Sequence, residues 1–241
     1  MARTPIWKTI ADALTAELAE GLYGPGDKLP TEAQLAARFA VNRHTVRHAL
    51  AALAEAGLVH ARRGAGVFVA QRPTDYPLGR RVRFAQNLRA AGRSPDRTIL
   101  SLDTRPARAR EAEALALPQG AQVHVMEGLS LADAQPLAVF RSVFPAVLLP
   151  DLPDALRAHP SVTMALSLCG IDDYTRASTR ITAKRANGTQ ARLLQIAEGA
   201  PILRSVAVNV APDGQPVEYG TTWFAGDRVT LTLDDPAAGA T

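Results

Sequence analysis

Residues 21–30, GLYGPGDKLP, place three glycines and two prolines within ten positions. Proline removes a backbone donor and fixes φ, and glycine carries the largest entropy penalty in a regular element. No helix or central strand runs through such a segment, so the elements around it must be short and tightly connected. Ahead of it, Ile6, Ile10, Leu14 and Leu18 recur every four residues, which predicts an amphipathic helix over 6–20. Behind it, Thr31 is placed to cap a short helix through Leu35 to about Phe39. Asn42 then caps a third helix that runs to Ala56 and stops at Gly57. The run LVHARRGAGVFVA (58–70) is β-prone on both sides of Gly64 and Gly66 and predicts a hairpin.

Three helices followed by a hairpin within about seventy residues predict a winged helix-turn-helix, whose third helix enters the major groove of DNA by its N-terminus. That start reads Val41-Asn42-Arg43-His44-Thr45-Val46-Arg47. Val46, Leu50 and Leu53 form the buried stripe, which leaves Arg43 and Arg47 one turn apart on the opposite face. A guanidinium bonds guanine O6 and N7, or a phosphate, through two parallel N–H groups. Asn42, His44 and Thr45 add base or phosphate bonds, while Arg38, Arg62 and Arg63 fall where the flanking phosphates would run. Each of these residues taken singly also suits a solvated surface, and Glu32 suits a helix N-terminus by its charge. Their joint arrangement carries the reading. His44 and His48 share one helix face, but no nearby carboxylate or cysteine completes a metal site, so no metal and no cofactor are expected.

After residue 70 the texture changes. Residues 71–79, QRPTDYPLG, read as a linker between a DNA-binding domain (1–70) and a second domain (80–235). Strand-like stretches occupy 97–105, 121–132, 136–145, 173–186, 201–211, 216–224 and 228–233. Helical segments are predicted at 80–91 and near 108–116, 161–169 and 189–195. Turn signals at 132–135, Asn187-Gly188 and Asp213-Gly214 are read as hairpins. The expected class is α+β in two domains, with a mostly antiparallel sheet in the second.

The net charge is +4, and nine arginines fall within residues 80–110 against Asp96 and Asp103. Such a block is a solvated face or an anion site. Arg80, Arg83, Arg141, Arg176 and Arg180 lie on different predicted elements that a fold could converge on phosphate, phosphonate or carboxylate, unless they pair with Asp172, Asp173, Glu218 or Asp227. One cysteine, Cys169, excludes an internal disulfide framework and fits a cytoplasmic setting. The first residues lack the apolar core of a secretory signal, and no run is long enough to span a membrane. Enzyme signatures are missing: His124 and His159 are isolated, Cys169 has no histidine partner, and neither a G-x-S-x-G elbow nor a phosphate-binding glycine loop opens a helix.

The strings G-x-x-x-P-G-D-K-L-P-T-E (21–32), L-A-A-R-F-x-V-N-R-H-T-V-R (35–47) and R-G-x-G-x-F-V (63–69) closely resemble the GntR family of bacterial regulators. The resemblance implies operator contacts from Asn42, Arg43, His44, Thr45, Arg47 and the wing around Arg63 and Gly64. PLAVFRSVFP (136–145), LLQIAEGAPILRS (193–205) and the closing G-Q-P-V-E-Y-x-T-x-W-F-x-G-D-R-V (214–229) resemble the HutC subfamily, whose ligand-sensing UTRA domain has a chorismate-lyase-like fold. This implies a homodimer on a palindromic operator of double-stranded DNA, with a small anionic effector in the second domain. Relatives that sense sugar phosphates commonly carry two arginines where this chain has Gly128 and Ser130. Residues 79–93 and 173–183 are instead similar to the branch that represses phosphonate-utilisation genes. That likeness implies Arg83, Arg141, Tyr174, Arg176 and Arg180 as pocket residues, with Glu218 and Tyr219 on the non-phosphoryl part. A carboxylate effector and a purely dimerising second domain remain open at this point.

Overall fold

The computed structural model describes residues 5–62, 64, 66–70, 73–81 and 83–233. It divides into two compact units, Met1–Arg72 and Pro73–Thr241.

In the first unit, α1 (Ile6–Ala19), α2 (Glu32–Arg38) and α3 (Arg43–Glu55) precede a hairpin of β1 (Val59–Arg62) and β2 (Gly66–Val69). The starts of α2 and α3 are set by their caps. Thr31 accepts from the Gln34 amide in a reciprocal capping box, and Asn42 accepts from the Thr45 amide at 2.8 Å. Gly57, at φ 69°, turns the chain out of α3. Ile10, Leu14, Leu35, Val46, Leu50 and Leu53 close one core. Ile6, expected in the apolar stripe, is the first residue of α1 and stands 62 % exposed, while Trp7 beside it packs against the core.

The second unit is built on six antiparallel strands: β4 (Pro95–Pro106), β5 (Gln122–Ala132), β6 (Gln135–Pro145), β7 (Thr175–Arg185), β8 (Pro201–Val210) and β9 (Pro216–Ala225). They lie in the order β4-β5-β6-β9-β8-β7. β3 (Thr74–Pro77) pairs in parallel with β10 (Val229–Thr232). The helices are α4 (Phe84–Ala90), α5 (Ala109–Ala114), α6 (Leu152–Ala158), α7 (Val162–Leu168) and α8 (Gly188–Leu194). None of the described helices is long and apolar enough to cross a membrane.

Two local expectations are corrected here. Part of the expected linker is the strand β3, held by Thr74, whose amide bonds the Arg228 carbonyl at 2.8 Å and whose hydroxyl receives Arg93 at 2.8 Å. Asn187-Gly188 is not a hairpin turn: Asn187 caps α8 by accepting from the Gln190 amide at 2.9 Å. A helix, α6, also stands in a stretch for which the sequence reading gave no element; Pro153 sits in its first turn, where no helical donor is lost.

Candidate functional site

At the start of α3, Asn42, Arg43, His44 and Arg47 are exposed and Thr45 is half-buried. They project from one helical end while Val46, Leu50 and Leu53 face the core. Arg47 is held: its Nε and Nη2 donate to the two carboxylate oxygens of Glu32 at 3.2 and 2.8 Å. The hydrogen bond from Arg47 holds the Glu32 carboxyl below the ordinary carboxylate value. Arg38 is tied to Glu17 by a two-pronged ion pair and lies over the Phe39 ring at 5.0 Å, so a phosphate contact would have to break that pair. Gly64 and Gly66 both adopt positive φ at the wing tip. Arg63 and the side chain of Arg62 lie outside the described residues. His48 stacks on Trp7 at 4.3 Å, and no metal-binding group of side chains occurs among the described residues.

The second unit contains a cavity of about 840 Å³ over one face of the six-stranded sheet. That is the size of a small-ligand site. The strand registers explain which side chains enter it. Ser142 opposes Gly220, Phe140 opposes Thr222, and Gly220 opposes Ala207. Asn209 opposes Glu218, and Arg176 opposes Asn209. Because cross-strand partners share a face, all of these point the same way. Arg97 and Ser130 pair at the β4–β5 end of the same face. β3 supplies Tyr76, and the start of α4 supplies its N-cap Arg83 and its first residue Phe84.

Four of the seven expected effector residues therefore come together: Arg83, Tyr174, Arg176 and Glu218. Three do not. Arg141 and Tyr219 are each one residue out of phase, on the opposite sheet face, where Arg141 pairs with Glu111 at 3.5 Å and Glu127 at 3.4 Å and Tyr219 packs beside Val143 and Leu115. Arg180 has the same parity as Arg176, but a bulge between Arg176 and Ser178 reverses the facing of the rest of β7. Arg80 is likewise absent from the lining and contributes its carbonyl, which accepts from the Arg176 amide at 2.7 Å.

Of the four arginines in the lining, Arg89 is exposed at the rim, and Arg83, Arg97 and Arg176 are half-buried. Arg83 lies flat on the Tyr174 ring at 3.6 Å, bonds the Tyr174 carbonyl at 3.4 Å, and reaches Asp173 at 3.4 Å. Among the described residues its Nη1 is buried without a hydrogen-bond partner, as is Nε of Arg176. Arg97 sits over Phe140 at 4.6 Å and has no ion-pair partner among the described residues. Burial pushes its pKa below the ordinary arginine value, against the pull of Glu218. Burial also pushes the Tyr76 hydroxyl up to about 12 and raises that of Tyr174, so both stay protonated donors. Glu218 is fixed between Ser142 Oγ at 2.5 Å and Asn209 Nδ2 at 2.7 Å.

Residues 7–69 match the bacterial regulatory proteins of the gntR family, and residues 90–230 match the UTRA domain. The chain belongs to the GntR family. As a GntR regulator of the HutC type it is 38 % identical over 230 residues to an uncharacterized HTH-type transcriptional regulator of Rhizobium meliloti (strain 1021), covering 95 % of this chain and 94 % of the relative. It is 34 % identical to the probable transcriptional regulator PhnF of Escherichia coli (strain K12), covering 95 % and 94 %. The crystal structure of PhnF from Mycobacterium smegmatis superposes with a TM-score of 0.65 at 27 % identity, covering 95 % of this chain and 99 % of that one.

Sequence reasoning about this GntR regulator missed Arg97, Ser142 and Asn209 as cavity residues. Arg97 was counted among nine arginines of a basic block, and only its pairing with Ser130 separates it from the exposed members. Ser142 and Asn209 carry a signal that alternation could have given, since each shares the facing of Phe140 or Glu218.

Proposed function

We propose that this GntR regulator is a cytoplasmic repressor of phosphonate or phosphate-ester utilisation genes, released from DNA when a small anion of that class occupies the cavity. The observation that carries the reading is the convergence of Arg83, Arg97 and Arg176 on one cavity, two of them holding a buried N–H without a partner among the described residues. Buried donors left unmatched are costly, and a tetrahedral anion with three acceptor oxygens satisfies several at once. Tyr174 and Tyr76 add neutral donors. Gly128 weighs against the two-arginine pattern of sugar-phosphate sensors, because a Cβ there would lie 2.2 Å from the Thr98 carbonyl and 2.7 Å from the Phe140 ring.

On the DNA side, two copies of α3 in a homodimer read a palindromic operator. Asn42, Arg43, His44, Thr45 and Arg47 face the major groove, and the wing with Arg62, Arg63 and Gly64 lies against phosphates. The connection between the two activities is covalent and short. The segment that follows Arg72 gives Tyr76, Arg83 and Phe84 to the cavity wall, so a ligand there bears directly on the chain leading to the reading head.

A gel-shift titration on the DNA upstream of the protein's own gene tests this, run with phosphonates, phosphate esters and sugar phosphates. Release by a phosphonate or phosphate ester is expected. Binding that no member of the panel weakens would remove the effector assignment.

A further inference from the structure

The same cavity holds a feature that an anion alone does not use. Glu218 is 8 % exposed, lines the cavity, and receives hydrogen bonds from two neutral donors, Ser142 and Asn209. No arginine or lysine forms an ion pair with it among the described residues, although Arg83, Arg89, Arg97 and Arg176 all line the same cavity. Its charge is felt at Arg97, where it opposes the effect of burial. An anionic ligand taking up the guanidiniums would place a second negative charge in the enclosure with Glu218 and remove that compensation. A buried carboxylate left with neutral donors only is unfavourable, and it accepts hydrogen bonds but gives none.

We propose that the effector is amphoteric: its phosphonate or phosphate group binds Arg83, Arg97 and Arg176, and a primary ammonium on the same small molecule binds Glu218. The proposal rests on the anion reading above and deepens it, naming an aminoalkyl phosphonate or phosphate as the chemical class. Glu218 acts as the selectivity group. Ser142 and Asn209 each occupy one lone pair of a different carboxylate oxygen, which fixes the carboxylate plane and leaves acceptor sites on both oxygens for the ammonium. Two other carboxylates border the cavity. Asp96 accepts from the Arg97 amide at 2.7 Å, and Asp172 accepts from Ser167 at 2.7 Å. Both residues are exposed, so an ammonium gains less there than at the enclosed Glu218.

Isothermal titration of the full chain with 2-aminoethylphosphonate, 2-hydroxyethylphosphonate and ethylphosphonate tests this, since the three share the anion and nearly share size. The amine is expected to bind at least about tenfold more tightly than either of the others, as a charge-assisted bond in an enclosed site implies. Equal affinities in the wild-type chain would overturn the amphoteric assignment while leaving the anion site standing. Failure of all three to bind would instead sink the anion reading itself. In Glu218→Gln, with folding checked by ligand-free thermal unfolding, the amine advantage should shrink to within about twofold. An advantage that survives in this variant would show that another group receives the ammonium and would overturn the role of Glu218. The hydroxyl compound keeps the test decisive in wild-type protein alone, because a neutral donor that matches the amine contradicts the proposal without any variant.

Discussion

The reading head and the effector cavity both depend on arginine, but they hold it in opposite ways. Arg47 is well exposed and braced by Glu32, a partner that is itself partly solvated. Arg83 is largely enclosed, lies against an aromatic ring, and carries an N–H that nothing among the described residues satisfies. Exposed and braced guanidiniums suit a large polyanion, where binding is reversible and salt-dependent. Enclosed guanidiniums suit a small ligand whose charge must be matched group by group, because water is excluded and mismatches are costly. In the function proposed above, one side chain serves two kinds of recognition, and burial decides which.

The largest effect that would break this contrast is expected from Arg47→Ala. A bidentate guanine contact discriminates by about 1–3 kcal/mol, and the proposed homodimer would present two of them, so operator affinity should fall by roughly a hundredfold or more. Fluorescence anisotropy on specific and scrambled duplexes measures it, and an unchanged melting temperature shows that the head still folds. Arg97→Ala should weaken phosphonate binding by about ten- to a hundredfold in calorimetry while operator affinity stays at the wild-type value. Loss of both activities together would mean that the two arginine sets are not separable.

Two smaller changes sharpen the comparison on the stability side. Gly128→Ala pushes a methyl group into the Thr98 carbonyl and the Phe140 ring, and overpacking of this kind costs about 1–3 kcal/mol. Calorimetric unfolding should show the effector unit melting earlier. Asn42→Ala removes the cap of α3 and should cost about 1 kcal/mol, confined to the head.

The two regions also differ in how far sequence alone describes them. The head is governed by local chemistry: Thr31 and Asn42 announce helix starts, Gly57 announces a stop, and Val46, Leu50 and Leu53 mark the buried stripe. Its architecture follows from signals a few residues apart. The cavity is governed by register. Whether Phe140 or Arg141 faces the ligand depends on which sheet face is covered, and nothing local says so. For Arg180 the parity argument fails outright, because one extra residue after Arg176 reverses the strand's facing. Asn187 shows that a turn dipeptide and a helix cap are the same chemistry in different surroundings. The expected linker concealed β3 because Pro73 and Pro77 read as loop signals, although proline is compatible with the ends of a two-stranded edge pairing.

The most direct test of the central claim compares Arg97→Ala with Arg141→Ala in a phosphonate-dependent operator release assay. Arg97 borders the cavity, while Arg141 sits on the opposite face of the same sheet with Glu111 and Glu127. Both variants should bind operator like the wild-type protein. The account predicts that Arg141→Ala is released at a ligand concentration within about twofold of wild type, as for a substitution outside the site, and that Arg97→Ala resists release. Release that fails in Arg141→Ala and persists in Arg97→Ala would contradict it.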